Sequence, residues 1–311
     1  MITRYLFAGL MLIAGMGPLA WAEAVPAPKD IDARYYIELP AGGAEAFFQY
    51  TPNRIPLISH HRGGPAPSYP ENAIETMDNA LRYGFGLMEV DVAQLADGAL
   101  VLMHDDTLDR TTTGTGAIKE KTSAELAELK LVDNAGQTTE YRIPSLEAAL
   151  RWAKGKTILT LDIKRGTDFK KVAEVVRIAG AEDYAVIISY TLEQAKAFHQ
   201  IAPELMLTVS VYDEEDIAEL LASGINPRKI IAWTGTSLKA PEFYSALHIQ
   251  GWRVITGTFS LDDRLAKKGD AGEYLAIYSS GVDVIATDRF WAVQAQIRNP
   301  NLFYFVRRAA Q

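Results

Sequence analysis

Two carboxylates interrupt the apolar run Leu87-Met88-Glu89-Val90-Asp91-Val92. A histidine stands on either side of it, His61 in Ser59-His60-His61-Arg62-Gly63-Gly64 and His104 in Leu102-Met103-His104-Asp105-Asp106. Residues two apart on a strand share a face, so Glu89 and Asp91 aim at one place. Asp162 and Lys164 repeat that spacing in Leu161-Asp162-Ile163-Lys164. Charges inside an apolar strand are costly unless paired or metal-bound, so two such pairs point to a site. A structural salt-bridge network is the competing reading. Glu89, Asp91 and Asp162 together could hold one Ca²⁺ or Mg²⁺, cations that prefer oxygen donors. With no cysteine and two well-placed histidines, zinc is a poorer match. Arg62 and Lys164 add cationic donors suited to a phosphate or phosphodiester. Two imidazoles can then divide the proton transfers, one deprotonating the attacking oxygen and the other protonating the leaving one.

The elements that must position these residues alternate. A short apolar run at 55–59 precedes a helix opened by Pro70-Glu71-Asn72, where Asn72 and Glu75 fit a capping-box start. The run at 86–93 follows, then an Asp97-Gly98 turn into 99–103. From Asp105 to Pro144 the chain is polar and reads as an elaborated loop, with one amphipathic piece at 123–129. Strands are expected at 157–163, 185–189, 205–211, 229–233, 252–258 and 282–287. Helices are expected at 168–179, 191–201, 213–223, 240–249, about 270–280, and 290–298. Eight strands separated by helices imply an α/β fold, a TIM (β/α)8 barrel with a small insertion (about 105–145) after strand 2. A doubly wound open sheet is the alternative. Every candidate falls near a strand's C-terminal end, where such a barrel carries its active site.

At this point the chain resembles a family. His61-Arg62-Gly63, Pro70-Glu71-Asn72, Glu89-Val90-Asp91-Val92 and His104-Asp105-Asp106-Thr107-Leu108-Asp109-Arg110 are similar, in order and spacing, to glycerophosphodiester phosphodiesterases. So are Gly114-Thr115-Gly116, Ile143-Pro144-Ser145-Leu146-Glu147 and Gly281-Val282-Asp283-Val284-Ile285-Ala286-Thr287-Asp288-Arg289. The resemblance implies a barrel enzyme dependent on Ca²⁺ or Mg²⁺ that releases sn-glycerol 3-phosphate and an alcohol. It implies that His61 and His104 are the acid–base pair and that Glu89 and Asp91 bind the metal. Arg62 and Lys164 would bind phosphate, with Glu71 supporting Arg62 or the metal shell. The substrate's own 2-hydroxyl would attack phosphorus first, giving a cyclic phosphate that water opens. Two features depart from the family. Asp162 stands where Glu is usual, one methylene shorter, as it does in the similar spider-venom sphingomyelinase D enzymes. Trp252-Arg253-Val254-Ile255 replaces a Trp-Thr-Val-Asn pattern in the seventh strand, which puts a different wall against the alcohol moiety. The same chemistry on a lysophospholipid, sphingolipid or teichoic-acid diester is the second reading. An open, apolar-rimmed pocket would favour it, a closed polar cup the deacylated diesters. A non-catalytic phosphate-ligand barrel is the third.

Residues 1–22 have a basic start, an apolar run from Tyr5 and an Ala-Trp-Ala end, the pattern of a cleaved signal peptide. The expectation is an exported protein, periplasmic or secreted, with no stable membrane anchor after cleavage. A leader at 23–54 would pack on a barrel spanning 55–311. The net charge of −8 becomes −9 when Arg4, the one charge in residues 1–22, is removed. An acidic chain is a poor partner for nucleic acid, so a small-molecule diester is expected. His60 alternates to the other face and is expected to pack. His199 and His248 read as surface residues, Asp105, Asp109 and Arg110 as ordering their loop, and Asp288 as a helix cap. Trp233 suits a pocket wall as well as the core, and Phe303-Tyr304-Phe305 reads as packing for the tail.

Overall fold

The computed structural model describes residues 25–269 and 272–297 in full and the backbone of 306–308. The expected signal peptide and Phe303-Tyr304-Phe305 lie outside these residues. Eight short apolar runs form parallel strands: β1 Leu57–His60, β2 Leu87–Gln94, β3 Leu159–Ile163, β4 Ala185–Ser189, β5 Met206–Ser210, β6 Ile230–Trp233, β7 Val254–Gly257 and β8 Val284–Thr287. They follow one another round a ring, β1 pairing with both β8 and β2, so the sheet closes into a TIM barrel and the open-sheet alternative falls.

Their inward residues fill the interior in layers. Leu57, Leu87, Ile158, Val186, Met206, Ile231 and Val284 pack in one cluster with Ile37, Phe47 and Phe48 of the N-terminal segment. That segment contributes a helix, Gly43–Phe48, and a strand, Tyr35–Ile37, paired with 306–308. Among the described residues no helix is long and apolar enough to cross a membrane.

The helices pack one face outside the barrel. Phe169–Ala179 starts at Asp168, whose side chain accepts from Lys170 N at 2.8 Å, and buries Val172, Ala173, Val176 and Ala179. A strand before the insertion, Leu100–Leu102, runs antiparallel to β2 across a turn at Gly98 (φ 85°), and the insertion holds a hairpin of Lys130–Val132 with Thr138–Arg142.

One local expectation is corrected, and two helices are added. Asn72 does not cap a helix: the helix is Ile74–Ala80, and Asn72 lies before it at φ 59°, its amide committed to Asp91. A helix at Leu146–Ala153, capped by Ser145, follows the insertion directly. The helix expected near 270–280 is Glu273–Ser279, and a further helix, Phe259–Lys268, precedes it.

Candidate active site

All eight candidates converge at the C-terminal ends of β1–β3. Asp91 and Asp162 face each other across the β2–β3 ladder, and oxygens of Glu89, Asp91 and Asp162 lie within 4.8 Å of one another. Asn72 clamps Asp91 from both sides, donating Nδ2–H to Oδ2 (2.8 Å) and accepting the Asp91 amide at Oδ1 (2.9 Å). Lys164 Nζ reaches Asp91 at 3.1 Å and Asp162 at 3.3 Å.

Burial pushes Glu89 up to about 8, with the Asp91 charge adding to it. Burial likewise raises Asp162. At Asp91 burial is outweighed by Lys164, His104 and Arg62 and by the Asn72 bond, so its carboxyl is held below the ordinary range. Burial leaves Glu89 and Asp162 short of countercharge despite Lys164 and Arg62, and a cation would supply it. Asp162 Oδ1 is buried without a hydrogen-bond partner. An all-oxygen trio with an unspent oxygen fits a hard divalent cation, and the shorter Asp162 side chain reaches the cluster.

Each histidine is oriented by a carboxylate on Nδ1. His61 meets Asp288 Oδ1 at 2.7 Å, and His104 meets Asp105 Oδ1 at 2.7 Å. That contact leaves Nε2 as the nitrogen available for proton transfer. Burial pulls the His61 imidazole down, but Asp288 and then Glu89 outweigh it and raise it to about 9.

Asp288 is held in turn. Asp262 accepts from the Asp288 amide (3.1 Å), from Thr287 Oγ1 (2.7 Å) and from the Tyr274 hydroxyl (2.7 Å), and burial pushes Asp262 up to about 6. The expected role of Asp288 as a helix cap is therefore corrected: its carboxylate serves His61.

Arg62 sits in the left-handed region at φ 50°, which turns its amide toward Glu89 Oε2 (2.7 Å). Its Nη1 donates to Glu71 at 2.9 and 3.1 Å, while its buried Nε makes no hydrogen bond and pairs with Asp91 Oδ2 at 3.9 Å. Glu71 also receives two bonds from Arg110 at 2.8 Å, and Arg110 grips Asp105 at 2.7 and 2.8 Å. Arg110 and Asp105 thus do more than order their loop: they join the His104 side of the site to the Arg62 side. Asp109 does order it, accepting from Gly116 N at 3.0 Å. Glu71, His104 and Asp105 also lie close together, but Arg62 and Arg110 occupy those carboxylates.

Other histidines lie elsewhere. His60 is buried, its Nδ1 on Leu87 O at 2.9 Å, and burial depresses it to about 4. His248 is not a surface residue: it stacks on Tyr50 and contacts Asp283 at 2.9 Å. His199 lies half-buried in the helix Leu192–Ile201. Trp233 lines a cavity beside the carboxylates with His61, Tyr190 and Phe259. Trp252 is buried, its Nε1 donating to Pro227 O at 3.0 Å, so of the expected stretch it is Ile255 that reaches the cavity, beside Phe259.

The model of the glycerophosphoryl diester phosphodiesterase family matches residues 61–290. A glycerophosphodiester phosphodiesterase of Caldanaerobacter subterraneus is 30% identical over 158 residues, 49% of this chain and 65% of that enzyme. One from Bacillus subtilis is 26% identical over 242 residues, 71% of this chain and 79% of it. A crystal structure of a glycerophosphoryl diester phosphodiesterase from Parabacteroides distasonis is 34% identical and covers 89% of this chain and 100% of that one, with a TM-score of 0.80. The matched span holds all eight converging residues together with Asp288, and the chain belongs to the glycerophosphoryl diester phosphodiesterase family, whose members are phosphodiester hydrolases.

Proposed function

We propose that this chain is an exported, metal-dependent enzyme that hydrolyses glycerophosphodiesters to sn-glycerol 3-phosphate and an alcohol. One observation carries the reading: three carboxylates, two buried and one half-buried, meet between two histidines, each oriented by its own carboxylate. Glu89, Asp91 and Asp162 would hold Ca²⁺ or Mg²⁺, which polarises a phosphoryl oxygen and stabilises its developing charge. Lys164 and Arg62 bind the remaining phosphate oxygens. One imidazole takes the proton of the attacking oxygen, water or the substrate's own 2-hydroxyl. The phosphorus–oxygen bond to the alcohol breaks, and the other imidazole protonates the leaving oxygen. A cyclic phosphate, where formed, is opened by water with the two roles exchanged.

Export rests on the basic, apolar and Ala-Trp-Ala sequence of residues 1–22, and the small-molecule substrate on the acidic charge balance. The test is release of glycerol 3-phosphate from glycerophosphocholine with Ca²⁺ or Mg²⁺. Release that disappears in EDTA and returns with the cation supports the reading. Equal release with and without EDTA contradicts its metal dependence.

A further inference from the structure

The helix Phe259–Lys268 reaches His61 by two routes. Phe259, its first residue, lies against the imidazole, ring centroids 4.8 Å apart. Asp262, a turn later, reaches the same imidazole through Asp288, whose Oδ1 stands 2.7 Å from His61 Nδ1. Asp262 takes no part in the proton transfers proposed above, yet it is 2% exposed and both its oxygens are occupied.

The two oxygens serve different neighbours. Oδ1 accepts from Thr258 Oγ1 at 2.9 Å and from the Tyr274 hydroxyl at 2.7 Å, which ties together the helices Phe259–Lys268 and Glu273–Ser279. Oδ2 is spent on the end of β8, accepting from Thr287 Oγ1 at 2.7 Å and from the Asp288 amide at 3.1 Å. Thr287 Oγ1 in turn accepts from the Arg289 amide at 2.9 Å, and Arg289 Nη1 donates to the Tyr274 hydroxyl at 3.4 Å. One carboxylate thus gathers Thr287, Asp288 and Arg289, the three residues that set where the Asp288 side chain leaves the strand.

An acid in the first turn of a helix has a simpler use, its favourable interaction with the free amides at that end. That use works from the surface and needs no partner on another strand. Burying a carboxylate is costly unless its bonds are complete, and Asp262 completes them with β8.

We infer that Asp262 is a positioning residue of the reaction, which holds the Thr287–Arg289 segment so that the Asp288 carboxylate is aimed at His61. The inference rests on the phosphodiesterase reading above for its effect on rate, and on the geometry alone for its effect on the imidazole. What matters is the pair of bonds from Oδ2 to β8. An amide of the same shape still offers one oxygen to Thr287 and the Asp288 amide, while the hydroxyls of Thr258 and Tyr274 turn to accept from its nitrogen. Alanine offers nothing.

The test compares wild type, Asp262→Asn and Asp262→Ala, cation-loaded, by glycerophosphocholine kinetics and by nitrogen NMR titration of His61 in histidine-labelled protein. Asp262→Ala is expected to lower kcat about 10- to 100-fold with KM unchanged, the effect of a slightly misplaced reacting group. Its His61 should titrate at lower pH than in wild type, because Asp288 no longer holds the imidazole. Asp262→Asn should restore both. Thr287→Val, which removes one donor to Asp262 and keeps the side chain's shape, should move both readouts the same way by less, and it decides the matter if Asp262→Ala does not fold. A folded Asp262→Ala with wild-type kcat, or with a wild-type His61 titration, overturns the inference, the latter because a loss of packing alone leaves the imidazole and its partner in place. So does Asp262→Asn as impaired as Asp262→Ala, which would put charge in place of aim. Absence of turnover in wild type, with the His61 shift present in Asp262→Ala, overturns the phosphodiesterase reading and leaves the link from Asp262 to His61 standing.

Discussion

Asp288 and His61 stand 227 positions apart in the chain and 2.7 Å apart in the fold, carboxylate oxygen to imidazole Nδ1. The contact joins the end of β8 to the end of β1 and fixes which ring nitrogen faces the reaction. Asp288→Asn keeps the shape but removes the charge that orients and protonates His61. The variant is expected to lose about 10²- to 10⁴-fold in kcat, the range of a general acid–base contribution. The His61 limb of the pH–rate profile should move down from its wild-type position, because the largest influence raising that imidazole is gone. An unchanged profile measured in both proteins would sink this role for Asp288.

The carboxylate trio should make stability depend on cation. Binding to the folded state alone raises stability by about 2.7 kcal/mol at a hundred times Kd. Thermal unfolding with Ca²⁺ or Mg²⁺ should therefore show a higher Tm than in EDTA. Asp162→Ala should abolish the rise, and Asp162→Glu should retain it. A rise of full size in Asp162→Ala would exclude that residue as a ligand.

Asn72 combines a left-handed backbone with a two-sided clamp on Asp91, and two substitutions separate these roles. Asn72→Gly keeps the backbone and drops the clamp, while Asn72→Ala loses both. Both should weaken cation binding about 10- to 100-fold through Asp91, the usual cost of removing a partner of a metal ligand. Asn72→Ala should also be less stable than Asn72→Gly by about 1 kcal/mol, the cost of αL for a residue with a Cβ. Calorimetric titration and urea unfolding give the two quantities, and equal cation affinity in all three proteins would contradict the clamp.

Glu71 is 4% exposed and satisfies two arginines. Glu71→Ala leaves Arg62 partly buried without its main counterion and should cost about 3–5 kcal/mol in urea unfolding. Lys130–Glu140, an exposed pair at 2.8 Å, supplies the control, where Glu140→Ala should cost under about 1 kcal/mol. Similar losses in the two variants would show that Glu71 is not a structural hub.

Stability of the cation-free protein should fall as pH rises from 6.5 to 9. His61 is raised to about 9 in the fold, so its contribution is complete below its ordinary value of 6.5 and is lost as pH rises through about 9. Glu89, raised to about 8, adds to the same fall, because the unfolded chain releases that proton first. Below 6.5 the buried His60 and His248, both depressed to about 4, oppose the raised carboxyls of Glu89 and Asp262, so the acid side should be flatter. Urea midpoints across pH 4–9 test this, and Asp288→Asn should flatten the fall above 6.5.

The i, i+2 pairs Glu89/Asp91 and Asp162/Lys164 were legible because strand geometry alone puts each pair on one face. The eight strands were legible as apolar runs at regular spacing, and the insertion as a polar interval. Partners distant in sequence were not. Ala-Thr-Asp288-Arg reads locally as a helix cap, and its contact with His61 exists only once β8 closes against β1. The supporting Asp262 lies on the unanticipated helix Phe259–Lys268, where five charged residues obscure the buried Leu265 face. Asn72 and Glu75 match a capping box by spacing, yet the competing demand of Asp91 takes the asparagine. His248 reads as a surface residue because its partner Asp283 lies 35 positions on, at the start of another strand.

The most direct test of the account follows glycerophosphocholine by phosphorus NMR with wild type, His61→Ala and His104→Ala in one Ca²⁺ buffer. Each variant is first checked for the cation-induced rise in Tm. The account predicts that wild type converts the diester signal to glycerol 3-phosphate while both variants, folded and cation-bound, leave it intact. Wild-type turnover by either variant would contradict the two-histidine mechanism.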